Sequence, residues 1–170
     1  MATLIVIDMQ NRFLNYRHKD LIDRIINLVN VAKENKDNII LVEYGCRWEP
    51  EKPAQRTVKK IQEAVKGYNK LYRVKKFDDA GGDKVIECMN EQHLHGPIIA
   101  CGVNTSCCVK ETVEELVNDF GMTVTVVANC CKDVFDNSEY SHFTAHGTFN
   151  THETLQVVDT PEDAYELIEA

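Results

Sequence analysis

Long apolar runs, an excess of positive charge and spaced cysteine pairs are all missing from this chain of 170 residues. No hydrophobic stretch approaches the roughly 20 residues that cross a bilayer. The opening residues, Met1-Ala-Thr-Leu-Ile-Val-Ile-Asp8, lack the basic leader and small-residue cleavage site of an export signal. They read as a strand, and a cytoplasmic protein is expected. Lys and Arg total 19 against 27 Asp and Glu, a formal charge of −8. That balance argues against nucleic acid and anionic membranes as partners, since both need a basic face. No repeat, low-complexity tract or linker interrupts the sequence, so a single domain over residues 1–170 is expected.

Cysteine is plentiful but not arranged for metal. Seven is an odd number in a chain without an export signal, so reduced thiols are expected. No C-x-x-C occurs. The vicinal pairs Cys107-Cys108 and Cys130-Cys131 are poorly spaced for one tetrahedral ion, and most of these thiols read as small buried apolar residues.

Strand and helix patterns alternate along the chain. Thr3–Ile7, Asn38–Tyr44, Leu71–Val74, Ile98–Cys101, Met122–Ala128 and Leu155–Val158 read as strands, and Ile98–Cys101 is an apolar run without alternation, as expected of a strand covered on both faces. Between them, apolar residues recur at helical spacing: Leu21, Ile25, Leu28 and Val29 after a possible cap at Asp20; Ala54, Val58, Ile61 and Val65 after Pro53; Ile86 and Met89 after Asp83; and Val109, Val113, Leu116 and Phe120. A further helix is expected over Ser138–His146. Thr160-Pro-Glu-Asp163 has the cap, proline and first-turn acids of a last one. The pattern predicts a three-layer α/β/α fold around a six-stranded, mostly parallel sheet, with right-handed crossovers gathering the strand-to-helix loops on one edge.

Pro97-Ile-Ile-Ala-Cys-Gly-Val-Asn-Thr-Ser-Cys-Cys-Val109 is the stretch the rest is organised around. It reads as a buried strand, a Gly102 turn and a helix capped by Thr105 or Ser106, with Cys107 and Cys108 in the first helical turn. An open parallel sheet places its ligand crevice at this point, and free amides with a helix dipole favour a thiolate there. Two other loops on the same edge carry Asp8 and the pair Lys75-Lys76. A carboxylate there can accept a thiol proton and return it to a leaving amine, and backbone amides around Asn104 and Cys108 can hold an oxyanion. Each residue also has a plainer reading: Asp8 as a turn residue, the lysine pair as a solvated edge, Trp48 as packing under a loop.

Two segments resemble those of a known superfamily. Leu4-Ile-Val-Ile-Asp8-Met9-Gln10-Asn11-Arg12-Phe13 resembles the opening strand and D-x-Q-x-x-F segment of the isochorismatase-like cysteine hydrolases, which include nicotinamidases, carbamoylsarcosine amidases and ureidoacrylate-type amidases. Gly102-Val-Asn-Thr-Ser-Cys-Cys-Val109 resembles their G-V-x-T-x-x-C-V turn, which selects Cys108 over Cys107. The resemblance implies strand order 3-2-1-4-5-6, Asp8 and Cys108 as catalytic residues with a lysine, and a cis peptide at Val103-Asn104. It implies a metal-independent hydrolase cutting a C–N bond of a small amide or carbamoyl substrate, with no cofactor, and a homo-oligomer.

The chain departs from the family pattern in places. The family lysine precedes a small residue and an aromatic; here Gly81 stands where the aromatic would be. The shortened loop leaves Lys75 and Lys76 both open, with Lys75 preferred. The Asp-x-His of the metal-binding branch is replaced by Tyr44-Gly-Cys-Arg47-Trp48, so no metal is expected. Asn129 stands where an aspartate often ends the fifth strand. Phe13, Tyr44, Trp48 and Phe135 are expected to line the pocket. His142 and His146, at i and i+4, lack the glutamate and third ligand of a zinc helix. A thiol redox or sensor protein using Cys107-Cys108, and a non-catalytic relative, are the competing functions.

Overall fold

The structure, a computed structural model, describes residues 1–134 and 144–170. Its sheet has six parallel strands in the order β3-β2-β1-β4-β5-β6, formed by β1 (Thr3–Ile7), β2 (Asn38–Tyr44), β3 (Leu71–Lys76), β4 (Ile98–Val103), β5 (Val124–Lys132) and β6 (Leu155–Val158). Helices α1 (Lys19–Glu34), α2 (Lys59–Val65), α3 (Gly82–Glu91), α4 (Lys110–Asn118), α5 (Ala145–Thr148) and α6 (Pro161–Glu169) lie between and after them. Successive strand side chains leave on opposite faces, and the core divides accordingly. Leu4, Val6, Ile39, Leu41 and Ile99 pack with α1, α2 and α6. Ile5, Ile7, Ile40, Val42 and Ala100 pack with α3, α4 and α5. Both faces are buried, which is why these strands show no polar alternation.

Local chemistry explains the element ends. Thr160 accepts from Asp163 N while Asp163 accepts from Thr160 N, a reciprocal cap at the start of α6. Several elements differ from the sequence reading. The helix expected from Pro53 begins only at Lys59. Upstream, Thr57 donates through its N and Oγ1 to the buried Glu43 carboxylate, at 2.6 and 2.9 Å, and Val58 N donates to Met9 O. Those tertiary bonds hold the segment out of helix. Strand β5 runs on through Cys130 and Cys131 to Lys132, beside Gly102 and Val103 of β4. Phe120, expected on the apolar face of α4, lies beyond its end and is exposed. The helix expected over Ser138–His146 lies largely outside the described residues, as do Phe135 and His142; α5 covers only Ala145–Thr148 of that region.

Gly102 positions the edge where the site forms. Its φ is +128°, and a Cβ there would stand 2.1 Å from Ile7 O. Only glycine lets β4 run this close to β1, and the two strands end side by side.

Candidate active site

Asp8 follows the last residue of β1 and adopts φ of +55°, a left-handed turn that short polar side chains tolerate. Its N–H donates to Val42 O at 3.0 Å and its carbonyl accepts from Gln10 N at 2.7 Å. Gln10 is fully buried and ties two loops together: it accepts from Tyr44 N and donates to Tyr44 O and Gln55 O. The Asp8 side chain is turned inward and is 1% exposed.

The ammonium beside Asp8 belongs to Lys76. Its Nζ lies 2.9 Å from Asp8 Oδ2 and donates to Asp79 O at 2.7 Å. Lys76 ends β3, opposite Tyr44, and its stem reaches past Val42 and Gly81. This corrects the preference for Lys75. Adjacent strand residues leave on opposite sides, so only one of the pair can face Asp8. Lys75 is partly exposed and donates to the main-chain oxygens of Pro50 and Lys52 at 2.5 and 2.9 Å.

Cys108 sits in a wide π-type turn, Thr105–Val109, ahead of α4, rather than in the first turn of an α-helix. The Val103-Asn104 peptide bond is cis. Asn104 O accepts from the amides of Cys107 and Val109, and Asn104 Oδ1 is buried with no hydrogen-bond partner among the described residues. Ser106 does not cap the turn; its N and Oγ both donate to the Asp133 carboxylate, which anchors the turn to the end of β5. Cys107 is exposed, with its sulfur turned toward Ser106 Oγ. Cys108 is 9% exposed, against 1% for Asp8 and for Lys76, so it is the least buried residue of this trio.

Electrostatics in the site follow from burial. Burial first, and then the Asp8 charge, push the Cys108 thiol up to about 12, with Lys76 opposing them. The free thiol is therefore protonated at neutral pH, contrary to the expectation of a helix-stabilised thiolate. Burial likewise raises Asp8, against the pull of Lys76 and of the Cys108 thiol. Among the described residues neither Asp8 oxygen has a donor beyond Lys76 and the Cys108 thiol, which leaves lone pairs to accept a proton. Sequence reasoning missed Asp79. Its Oδ1 is 3.9 Å from Cys108 Sγ, and its carbonyl holds both Lys76 Nζ and Thr112 Oγ1. The only signal for it was the acidic run after β3.

Beside the trio lies a cleft of about 380 Å³, lined by Arg12, Tyr44, Cys46, Arg47, Trp48 and Phe77. Tyr44 and Trp48 are thus brought together there. Phe13 meets the Tyr44 ring edge-on, with centroids 6.0 Å apart. Guanidinium groups in place of carboxylates and imidazoles make this a poor donor set for a metal cation. Among the described residues, no three His, Cys, Asp or Glu side chains group as a metal site, and His146 pairs with Asp159 at 2.6 Å. No helix among them is long and apolar enough to cross a membrane.

Comparisons with known proteins agree with this fold. No curated protein matches the chain. Among solved structures, an isochorismatase-like hydrolase from Alkaliphilus metalliredigens superposes with a TM-score of 0.74 at 14% identity, covering 98% of each chain. The nicotinamidase of Staphylococcus aureus gives 0.73 at 16% identity, over 92% of this chain and 96% of that one. N-carbamoylsarcosine amidase from Thermoplasma acidophilum gives 0.69 at 12%, over 95% and 96%. At such identities the likeness is one of fold. The model of the Isochorismatase domain matches residues 2–162, nearly the whole chain, which therefore belongs to the isochorismatase domain family.

Proposed function

We propose that this protein is a metal-independent cysteine hydrolase that cleaves the C–N bond of a small amide or carbamoyl compound through a thioester at Cys108. The observation that carries the reading is the buried Lys76–Asp8 ion pair in electrostatic contact with the Cys108 thiol. The thiol gives its proton to Asp8 as sulfur bonds to the carbonyl carbon, and the carbonyl electron pair moves to oxygen. Backbone amides around Asn104 and Cys108 hold that oxyanion. When it collapses, the C–N bond breaks and Asp8 returns the proton to nitrogen, so ammonia or an amine leaves. Water then attacks the thioester, Asp8 takes its proton, and the carbon–sulfur bond breaks to release the acid and restore the thiol. Lys76 keeps Asp8 ionised enough to act as base despite its burial.

The test is ammonia release from a panel of small amides by the pure protein. Cys108→Ala is expected to abolish release, and mass spectrometry of the wild type is expected to trap an acyl adduct on Cys108. Undiminished turnover in the Cys108→Ala protein would overturn the reading. So would peroxide-dependent cycling of Cys107-Cys108 with no amide hydrolysis.

A further inference from the structure

We propose that the cleft beside Tyr44 is an anion subsite, with Arg12 as its recognition residue. The substrate is then a small amide bearing a carboxylate at the end opposite the scissile bond. This rests on the hydrolase reading above and adds the substrate's charge and orientation to it.

The cations around the cleft are not equally satisfied. Arg47 is paired with Asp78, and Lys76 with Asp8. Arg12 is exposed and has no carboxylate within ion-pair distance among the described residues. Its guanidinium is held in place all the same, 5.1 Å from the centroid of Phe13 and 5.4 Å from that of Tyr44. Its backbone N–H donates to Gln55 Oε1, and the Tyr44 main chain is clamped on both sides by Gln10. A positioned guanidinium with free donor edges suits bidentate binding of a carboxylate, and little ordering remains to be done on binding. Lys75, 5.4 Å from the Phe77 ring that lines the cleft, likewise meets only main-chain oxygens among the described residues, so positive charge gathers at this mouth in a chain of net charge −8.

One ring joins this cation to the catalytic one. The Tyr44 centroid that lies 5.4 Å from Arg12 Cζ lies 5.2 Å from Lys76 Nζ. An anion on Arg12 is therefore separated from the Lys76 ammonium by the Tyr44 ring alone. At the other end, Asp79 Oδ1 stands 3.9 Å from Cys108 Sγ and can accept an amide N–H. The two ends have opposite polarity, which orients a substrate with its amide inward and its carboxylate outward. Half-amides of short dicarboxylic acids have this form.

Trp48, the sole tryptophan, lines the same cleft and is 86% exposed, so its emission reports occupancy without turnover. Malonamate, succinamate and glutaramate, each beside the uncharged amide of matching length, are titrated against wild type, Arg12→Gln and Arg12→Lys, with ammonia measured in parallel. At least one half-amide is expected to change the emission saturably and to bind more weakly as salt rises. Its affinity should fall tenfold or more in Arg12→Gln and less in Arg12→Lys. The ratio of kcat/KM for that half-amide over its uncharged partner should drop at least tenfold in Arg12→Gln. Equal handling of charged and uncharged amides by the wild type, or an unchanged Arg12→Gln, overturns the subsite while leaving the hydrolase reading intact. Arg12-dependent binding with no ammonia from any amide overturns the hydrolase reading and leaves the subsite.

Discussion

Lys76 Nζ lies 2.9 Å from Asp8 Oδ2, with both side chains sealed from water, although Lys76 ends β3 and Asp8 follows β1, two strands separated by β2. Removing one partner of a buried pair leaves the other charge uncompensated. Lys76→Met is therefore expected to abolish hydrolysis and to cost about 3–5 kcal/mol in a urea melt. Lys75→Met, which removes only contacts to Pro50 and Lys52, should keep activity within about twofold, as surface changes do. The reverse ranking in ammonia-release assays would reassign the lysine.

Alkaline pH should weaken the fold through its thiols. The folded chain holds the Cys108 proton up to about 12, while the unfolded chain sheds it near 9. Above pH 9 the unfolded state binds fewer protons, so stability falls as pH rises toward 12. Cys130 is also pushed up to about 12 by burial, so Cys108→Ala should flatten only part of that slope in melts across this range. At the other end, kcat/KM should fall as acid protonates Asp8. Its midpoint should lie above the ordinary 3.8, because burial raises this carboxyl. A midpoint at or below that value would remove Asp8 as the base.

Gly81 makes room for the lysine. A Cβ at this position would stand 2.8 Å from Lys76 Cδ, and the lysine cannot swing aside without leaving Asp8 or the Asp79 carbonyl. Gly81→Ala is expected to lower kcat by about tenfold or more, since small displacements of catalytic groups are costly. Far-ultraviolet circular dichroism should show the fold retained. Full activity in this variant would mean that the Lys76 position is not critical.

Gly102→Ala should act on the fold itself. Its Cβ would meet Ile7 O at 2.1 Å, a backbone atom in the middle of the sheet, at a φ of +128°. A loss of about 3 kcal/mol or more is expected in the denaturant midpoint, from strain and overpacking together. A midpoint within about 0.5 kcal/mol of wild type, the range of neutral surface changes, would refute the close approach.

Much of the architecture can be read from local pattern. Strands β1, β2 and β6 have the bounds the sequence predicts, and in β1 and β2 burial on both faces leaves a mark in nearly every residue. The family resemblance of the G-V-x-T-x-x-C-V turn, rather than local pattern, implies the peptide bond that is cis. The segment after Pro53 shows where pattern fails. Its apolar spacing is helical, but Glu43 and Met9, distant in sequence, take its amides.

The amino-acid order by itself determined the layers, the strand-to-helix alternation and the presence of an acid, a lysine pair and a thiol at one sheet edge. Only the tertiary structure decided which lysine turns inward, that Asp79 joins the thiol, and that Arg12, Tyr44 and Lys76 line up beside the site. Local sequence records what each segment must bury. Which side chains from different strands meet depends on the phase of the pleat and the order of the strands, and neither is written within any one segment.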